Sequence, residues 1–154
     1  MLVMGGYDGN YVNDIWSSID GASWSLVTAN ADWTGRRSHT SVVHGNQIFV
    51  MGGHDTSLLY NDVWSSSDGI TWVEVTPTAG WSTRRSHASI IYNDDLYVMG
   101  GHDGSRLNDV WILESIPADT VTLTLKSDRK LSNSIKSTIT STWYVSNIVL
   151  LGYS

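Results

Sequence analysis

Two histidine–aspartate pairs, at 54–55 and 102–103, are the residues of this chain whose types best suit catalysis or metal binding. Adjacent side chains in extended backbone point to opposite sides, so neither pair has the geometry of a catalytic dyad. A third copy of the same segment reads Tyr7-Asp8, so the imidazole is dispensable there. The aspartate persists and is twice followed by glycine, which is typical of turns. The pairs therefore predict turns, and no catalytic residue is expected.

Other polar residues that recur in the chain also have structural interpretations. His39 and His87 fall in predicted inner strands, where a buried, hydrogen-bonded imidazole is the expected state. Aspartates that follow asparagine at strand entries are expected to bond to nearby backbone; these are Asp14, Asp62 and Asp109. The chain has no cysteine, which removes thiolate nucleophiles and cysteine metal ligands. We predict no metal site and no cofactor.

The charge and the apolar segments exclude two classes of partner. A formal net charge of −6 and scattered basic pairs argue against a nucleic-acid partner. The apolar segment "NIVLLGY" near the end is far shorter than the ~20 residues that a membrane-spanning helix needs. Without cysteine the chain suits either redox environment, so its localisation stays open.

An internal repeat organises most of the chain. Residues 13–55 align with 61–103 without a gap, at an offset of 48, and 23 of the 43 aligned positions are identical. Each period contains four short β-prone runs, with the dipeptide Asp-Gly at 20–21 and 68–69 between the third and fourth. Asp-Gly at that place predicts a two-residue hairpin with positive φ at both positions. Four strands every ~48 residues indicate propeller blades.

The repeat resembles the kelch family in the combination and spacing of its motifs. These are Arg-x-x-His at 36–39 and 84–87, a strand that ends in Gly-Gly at 5–6, 52–53 and 100–101, and a later tryptophan at 24 and 72. The resemblance implies an all-β fold with kelch-type blades of four antiparallel strands in an incomplete propeller. It covers residues 1 to about 114. Ser18 and Ser66 stand near the place where the family usually has a tyrosine. The Asp-Gly segments are also similar to the structural Asp-box of sialidase-type propellers, one residue short.

The repeat boundaries predict the domain organisation. Residues 1–35 would form a partial first blade with an inter-blade loop, 36–83 a complete blade with its loop, and 84–125 a third blade. The segment "TVTLTLK" would supply the fourth strand of that third blade, and 126–154 would be a Ser/Thr-rich tail with possible edge strands. We expect a fragment of a longer propeller, because open edges are a liability. The alternative is self-association through the open blade edges.

Strand direction predicts which loops share a face. Strands alternate in direction within a blade, so the predicted long loops at 7–12, 54–60, 102–107, 28–35 and 76–83 emerge together. Function concentrates in loops on rigid scaffolds, and exposed aromatic and arginine side chains are typical of binding hot spots. Tyr11 also lies on this face. Arg36 and Arg84 lie at its edge and are expected to pair with acceptors between blades; the alternative is that they recognise a carboxylate at the mouth of the channel. The expected ligand or partner contacts are Tyr7, Trp33, Arg36, His54, Tyr60, Trp81, Arg84, His102 and Arg106.

These observations favour a non-enzymatic binding module that presents its long loops to a protein or peptide partner. The alternative is a propeller that binds or processes carbohydrate, in the manner of a sialidase or mutarotase. Sugar processing needs acid–base carboxylates, and the two glutamates, Glu74 and Glu114, both fall outside the long loops. A third possibility is a purely structural array. Fold alone does not decide among them.

Overall fold

The computed structural model describes residues 1–113, and this part of the chain is all β with three antiparallel sheets. The strands are β1 (Leu2–Tyr7), β2 (Tyr11–Ser17), β3 (Ser25–Thr28), β4 (Thr40–His44), β5 (Gln47–Met51), β6 (Val63–Ser66), β7 (Val73–Thr76), β8 (Ala88–Tyr92), β9 (Asp95–His102) and β10 (Arg106–Leu113). The first sheet has the order β1-β2-β3, the second β4-β5-β6-β7, and the third β10-β9-β8. The predicted all-β fold of antiparallel blades in an incomplete propeller is confirmed, with four strands in the second sheet and three in each of the other two over residues 1–113. The predicted strand "TVTLTLK" and the tail at 126–154 lie outside the described residues. Over residues 1–113 no helix is long and apolar enough to cross a membrane.

The turns between first and second strands follow the local residue types. In the third sheet Tyr92 pairs with Asp95, which leaves a two-residue turn whose residues, Asn93 and Asp94, have φ of 51° and 66°. Asparagine and aspartate tolerate this left-handed region better than other residues with a Cβ. Two positive φ values in succession match the right-handed twist of the paired strands.

The Asp-Gly segments form longer loops than the sequence predicts. β6 ends at Ser66 and β7 begins at Val73. Within the loop Asp68 Oδ1 accepts hydrogen bonds from the backbone N–H groups of Ile70 and Thr71. These N–H groups lower the pKa of Asp68. Of the dipeptide only Gly69, at φ 74°, has positive φ. The predicted two-residue hairpin is therefore wrong, because the carboxylate organises the loop that follows it.

Two of the predicted long loops are also shorter than expected. β1 and β9 continue through their Gly-Gly pairs to Tyr7 and His102, so only residues 8–10 and 103–105 connect them to the next strand. The second sheet differs, since β5 ends at Met51 and β6 begins at Val63. Its longer connection is held by isolated bridges from His54 to Arg37 and Leu59. The one extra residue in this copy accompanies the loss of strand pairing.

The hydrophobic core lies between sheets. One cluster joins the first and second sheets and consists of Ile15, Ala31, Trp33, Val50 and Trp72. The other joins the second and third sheets and consists of Phe49, Met51, Val63, Trp81, Leu96 and Val98. Trp33 and Trp81 hold equivalent positions in the repeat. Adjacent sheets thus bury their facing surfaces against each other, as in stacked propeller blades.

Candidate partner-binding face

Each Arg-Arg pair sends its two side chains in opposite directions. Arg36 and Arg84 are 1% and 0% exposed, whereas their neighbours Arg37 and Arg85 are exposed and half-buried. Arg37 exchanges two backbone hydrogen bonds with His54, and Arg85 exchanges two with His102. This extended pairing gives adjacent residues opposite orientations. The inward arginines therefore stabilise the blade, and the outward ones belong to its surface.

The inward arginines pair within their own sheets. Arg36 Nη2 donates to Asp62 Oδ2 at 2.8 Å, Nη1 donates to Oδ1 and to the Gly52 carbonyl at 3.0 Å, and the guanidinium lies 4.0 Å from the Tyr60 ring centroid. A bidentate pair of this kind satisfies the buried charge. The predicted pairing between blades is wrong, because Arg36 and Asp62 both lie next to strands of the same sheet, before β4 and β6.

The third sheet repeats this geometry with Arg84 and Asp109, which share hydrogen bonds of 2.8 Å at both carboxylate oxygens. Arg84, and then the indole N–H of Trp111, hold the pKa of Asp109 well below its usual range. The prediction that Asp62 and Asp109 bond to nearby backbone is also wrong. Their carboxylates accept from guanidinium and indole donors instead.

Trp33 and Trp81 are buried, so the expectation that they are exposed loop residues is wrong. Their exposed fractions are 1% and 3%. The side-chain amide of Asn13 donates to the carbonyls of Ala31 and Trp33, and Asn61 makes the equivalent bonds to Ala79 and Trp81. These bonds hold each inter-blade loop against the sheet, and the indole fills the space between two sheets. Neither indole offers surface to a partner.

A cluster of side chains forms around the exposed Arg37 on the face of the connecting loops, and it includes the buried His54. We call it the arginine–tyrosine cluster and define it as Tyr7, Tyr11, Arg37 and His54. The Arg37 guanidinium lies 4.9 Å from the Tyr7 ring centroid and 5.6 Å from that of Tyr11, and Tyr11 packs edge-on to His54 at 5.8 Å. Cation–π contacts fix the guanidinium while leaving its edge open.

Hydrogen bonds fix the tautomer of His54. Its Nδ1 lies 2.9 Å from the Asp55 backbone carbonyl, which only accepts, so Nδ1 carries the proton. Nε2 then accepts from Arg37 Nε at 3.2 Å. In this arrangement the imidazole orients the arginine side chain. It therefore positions Arg37 and shows no catalytic geometry.

Two shallow clefts flank this cluster. The larger, of about 450 Å³, is lined by Tyr7, Gly9, Asn10, Tyr11, Thr34, Gly35, Asp55 and Thr56. The smaller, of about 270 Å³, is lined by His54, Asp55, Thr56, Ser57, Leu58, Leu59, Arg85, His102 and Gly104. Asp55 and Thr56 form the ridge that both share. The clefts are thus adjacent, one beside the first sheet's loop and the other beside the third's.

The aspartate on that ridge is a turn residue. Asp55 Oδ1 accepts from the N–H groups of Ser57 and Leu58, and Oδ2 accepts the Tyr60 hydroxyl at 2.6 Å. Tyr60 and then these N–H groups lower the pKa of Asp55, while burial and Asp55 raise that of Tyr60. Asp103 Oδ1 similarly accepts from the N–H of Ser105. The turn role that the sequence predicts for both aspartates agrees with this geometry.

The structure gathers part of the predicted contact set. Tyr7, His54 and His102 line the clefts, Tyr60 lies behind them against Arg36, and Arg106 is exposed opposite His102 in the β9–β10 pair. The sequence reasoning missed Arg37 and Arg85 as surface residues. The signal was present, because the neighbour of an inward-facing residue in extended chain faces outward.

His39 and His87 lie at the entries of β4 and β8, directly before the strands in which they were predicted. Burial and Arg36 lower the pKa of His39 to about 4, and burial, Arg84 and His39 lower that of His87 to about 4. His87 Nε2 lies 2.8 Å from the Thr40 hydroxyl. Over residues 1–113 no group of three or more potential ligands is placed to hold a metal ion.

A comparison with protein families gives one match over nearly the whole chain. The model described as the KLHDC2/KLHL20/DRC7 Kelch-repeats domain matches residues 1–152. No curated protein matches the chain. The match agrees with the three sheets, their shared Gly-Gly segments and the buried tryptophans between them.

Proposed function

The chain belongs to the kelch-repeat family, and from this premise we propose that it is a non-enzymatic module that binds an extended segment of a protein partner across its two clefts. Kelch domains are generally protein-interaction modules. The proposed contacts are Tyr7, Tyr11, Arg37, Arg85, His102 and Arg106. Among the other predicted contacts, Arg36, Arg84, Trp33, Trp81 and Tyr60 are assigned to supporting the face from below.

One observation carries the proposal, namely the state of Arg37. Its side chain is exposed, its guanidinium contacts two neighbouring tyrosine rings, and within the described residues its side chain makes one hydrogen bond, from Nε to His54. Within residues 1–113 it makes no ion pair. A fixed guanidinium has lost its conformational entropy before binding, so ordering it costs a partner little. Arginine and tyrosine in such settings are typical hot-spot residues.

The chemistry of the face defines the partner segment. The terminal nitrogens of Arg37 suit a carboxylate, which can accept two parallel hydrogen bonds. Arg85 holds the equivalent position in the next blade, beside His102 and the second cleft. Two adjacent shallow clefts that share Asp55 at their rim suit an extended segment better than a compact small molecule. We therefore expect a peptide with an acidic group and adjacent apolar or aromatic residues.

We do not extend the proposal to sugar processing. An acid–base pair requires carboxylates that are available to a substrate. On this face Asp8, Asp55 and Asp103 each accept turn hydrogen bonds from backbone N–H groups. They are engaged in shaping the loops.

The test is selection of a displayed library of random peptides on the full chain, followed by calorimetric titration of the selected peptides. We expect Arg37→Ala and Tyr7→Ala to weaken binding at least about tenfold, as truncation of hot-spot residues does. Tyr92→Ala is the matched control, because Tyr92 is 61% exposed, close to the 54% of Tyr7. It lies at the end of β8, before the turn to β9, and lines neither cleft. Recovery of no binding peptide, or equal binding by all three variants, would contradict the proposal.

A further inference from the structure

The two histidines of the connecting loops carry their ring protons on opposite nitrogens. In His54, Nδ1 donates to the Asp55 carbonyl and Nε2 accepts from Arg37 Nε. In His102, the backbone N–H of Gly104 donates to Nδ1 at 3.1 Å, so Nδ1 presents its lone pair and the proton lies on Nε2. The two rings are equivalent in the repeat. The backbone around each ring thus decides which ring nitrogen is the donor.

This difference leaves the arginine beside His102 without the acceptor that holds its equivalent. Arg37 donates to the Nε2 of His54, whereas the Nε2–H of His102 is itself a donor. Over residues 1–113 the hydrogen bonds of Arg85 are the two that its backbone exchanges with His102, and its guanidinium makes no ion pair. Within that part of the chain, a half-buried guanidinium and a ring N–H therefore line one cleft without an acceptor of their own.

Both walls of this second cleft belong to the described residues. One wall is the loop of the second sheet, and the other is the entry of the third sheet at Arg85 with the turn that follows His102. One carboxylate, Asp55, lies among the lining residues. Its oxygens already accept hydrogen bonds, Oδ1 from two backbone N–H groups and Oδ2 from a tyrosine hydroxyl. A group bound to the cleft donors therefore has to supply its own oxygens.

The donor set favours a tetrahedral oxyanion over a carboxylate. A carboxylate is planar, and one guanidinium fork satisfies both of its oxygens. The ring N–H of His102 is a further donor on a separate side chain, and a phosphate monoester has a third oxygen to receive it. Such a group carries about −1.5 to −2 charge at pH 7. That charge suits Arg85 together with Arg106, the residue that pairs with His102 across β9 and β10.

We propose that the second cleft binds a phosphorylated side chain of the partner, with Arg85 and His102 as donors to its phosphoryl oxygens. Leu58, which lines the cleft and is 60% exposed, packs against the carbon atoms that carry the phosphate. The inference rests on the proposed function, because it names the chemistry at one end of the extended segment. The first cleft lies beside Arg37, whose guanidinium suits a carboxylate. Phosphorylation of the partner thus strengthens its binding to this face.

The probe is phenyl phosphate, titrated into the full chain carrying ¹⁵N-labelled histidine. Benzoate and inorganic phosphate are the comparison ligands, and the ring signals of His102 are assigned with His102→Phe. We expect saturable movement of the Nε2 signal of His102, and at least about tenfold weaker binding of benzoate, which lacks the third oxygen. Inorganic phosphate should also bind more weakly, because it has no carbon atoms to contact Leu58.

Variants of the two donors test the site, with affinities read from the ³¹P signal of phenyl phosphate. Arg85→Ala and His102→Phe should each weaken binding about tenfold, the effect of losing a hydrogen bond to a charged group. Arg85→Lys should restore only part of the loss, because an ammonium keeps the charge without the fork. His44→Phe is the matched control, since His44 is half-buried like His102 but ends β4 and lines neither cleft.

Four results would overturn the proposal. They are no saturable movement at millimolar phenyl phosphate, equal affinity for benzoate, equal affinity for inorganic phosphate, and binding that Arg85→Ala leaves unchanged. The third would assign the cleft to free phosphate, and the fourth would indicate an adventitious ion only. Failure of the proposed function is distinct, because it is read from displayed peptides that depend on Arg37 and Tyr7. Peptide binding without phosphate binding would overturn this inference alone.

Discussion

At the scale of single residues, neutral imidazoles lie near the buried arginines at the entries of β4 and β8. His39 and His87 each follow a serine with positive φ, Ser38 at 56° and Ser86 at 54°, and each lies near the inward arginine of its own sheet. The Nδ1 atoms of both rings are buried without a hydrogen-bond partner. Protonation would add a second positive charge in a place with little solvent. The imidazoles are therefore held in their neutral form.

This arrangement predicts a loss of stability in mild acid. The pKa of both imidazoles is lowered from 6.5 to about 4, so between those values the unfolded chain binds protons that the folded chain does not. The free energy of unfolding should fall as pH drops from 6.5 to 4, by up to about 3 kcal/mol for each imidazole, and level off below 4. Urea unfolding at pH 7 and 4.5 measures the fall, and His87→Gln should reduce it. An identical fall in the variant would show that His87 is not its source.

The carboxylates act in a separate pH window. The pKa of Asp68 is lowered from 3.8 by backbone N–H groups, and that of Asp20 falls to about 2 for the same reason. Their contribution to the stability of the fold is complete at pH values above the pKa of the aspartates in the unfolded chain. It disappears as the pH falls from about 4 towards 2. The histidine effect can thus be read at pH values where these aspartates remain ionised.

At the scale of elements, the Gly-Gly pairs join a strand to the entry of the next blade. Gly53 donates its N–H to the Arg84 carbonyl at 2.8 Å, and Gly6 donates to that of Arg36 at 2.9 Å. The sequence shows that each pair ends a strand motif, and the fold agrees on the number and order of strands. The sequence did not reveal that β1 and β9 continue through their glycines, because backbone pairing beyond the Gly-Gly pair depends on the length of the following turn.

A methyl group at Gly53 should expose this close approach. A Cβ there would lie 2.7 Å from the Cβ of His39 and 2.9 Å from the Arg37 carbonyl oxygen, and φ is 90°. We expect Gly53→Ala to lower the free energy of unfolding by about 3 kcal/mol or more, from steric overlap added to backbone strain. Gly9→Ala is the control, since φ is 118° but no heavy atom lies within 4 Å of its added Cβ. It should cost only the strain, about 1–2 kcal/mol. Equal losses in urea unfolding would mean that the neighbours of Gly53 yield freely.

At the scale of the whole molecule, the core belongs to the boundaries between sheets. The repeat predicts the blades well, because its period and turn residues are local signals. It predicts the candidate face less well, because inward and outward directions are settled by packing between repeats. Trp33 and Trp81 illustrate this limit, since a tryptophan in a loop reads as exposed until the neighbouring sheet is in place. Arg37 illustrates the converse, since its outward direction follows from the burial of Arg36.

Shared boundaries predict that the sheets lose their structure together. Trp81 packs with Met51 and Val63 of the second sheet and Val98 of the third, so removing its contacts weakens both. Trp81→Phe should lower the free energy of unfolding by about 1–3 kcal/mol, because lost packing outweighs the relief of an indole N–H that is buried without a partner. We expect one urea transition with an unchanged m-value, coincident in tryptophan fluorescence and far-UV circular dichroism. Trp33→Phe, at the equivalent boundary, is the matched control and should behave alike. A second transition in either variant would mean that one sheet unfolds alone, and stability would then be a sum of separate repeats rather than a property of the stacked set.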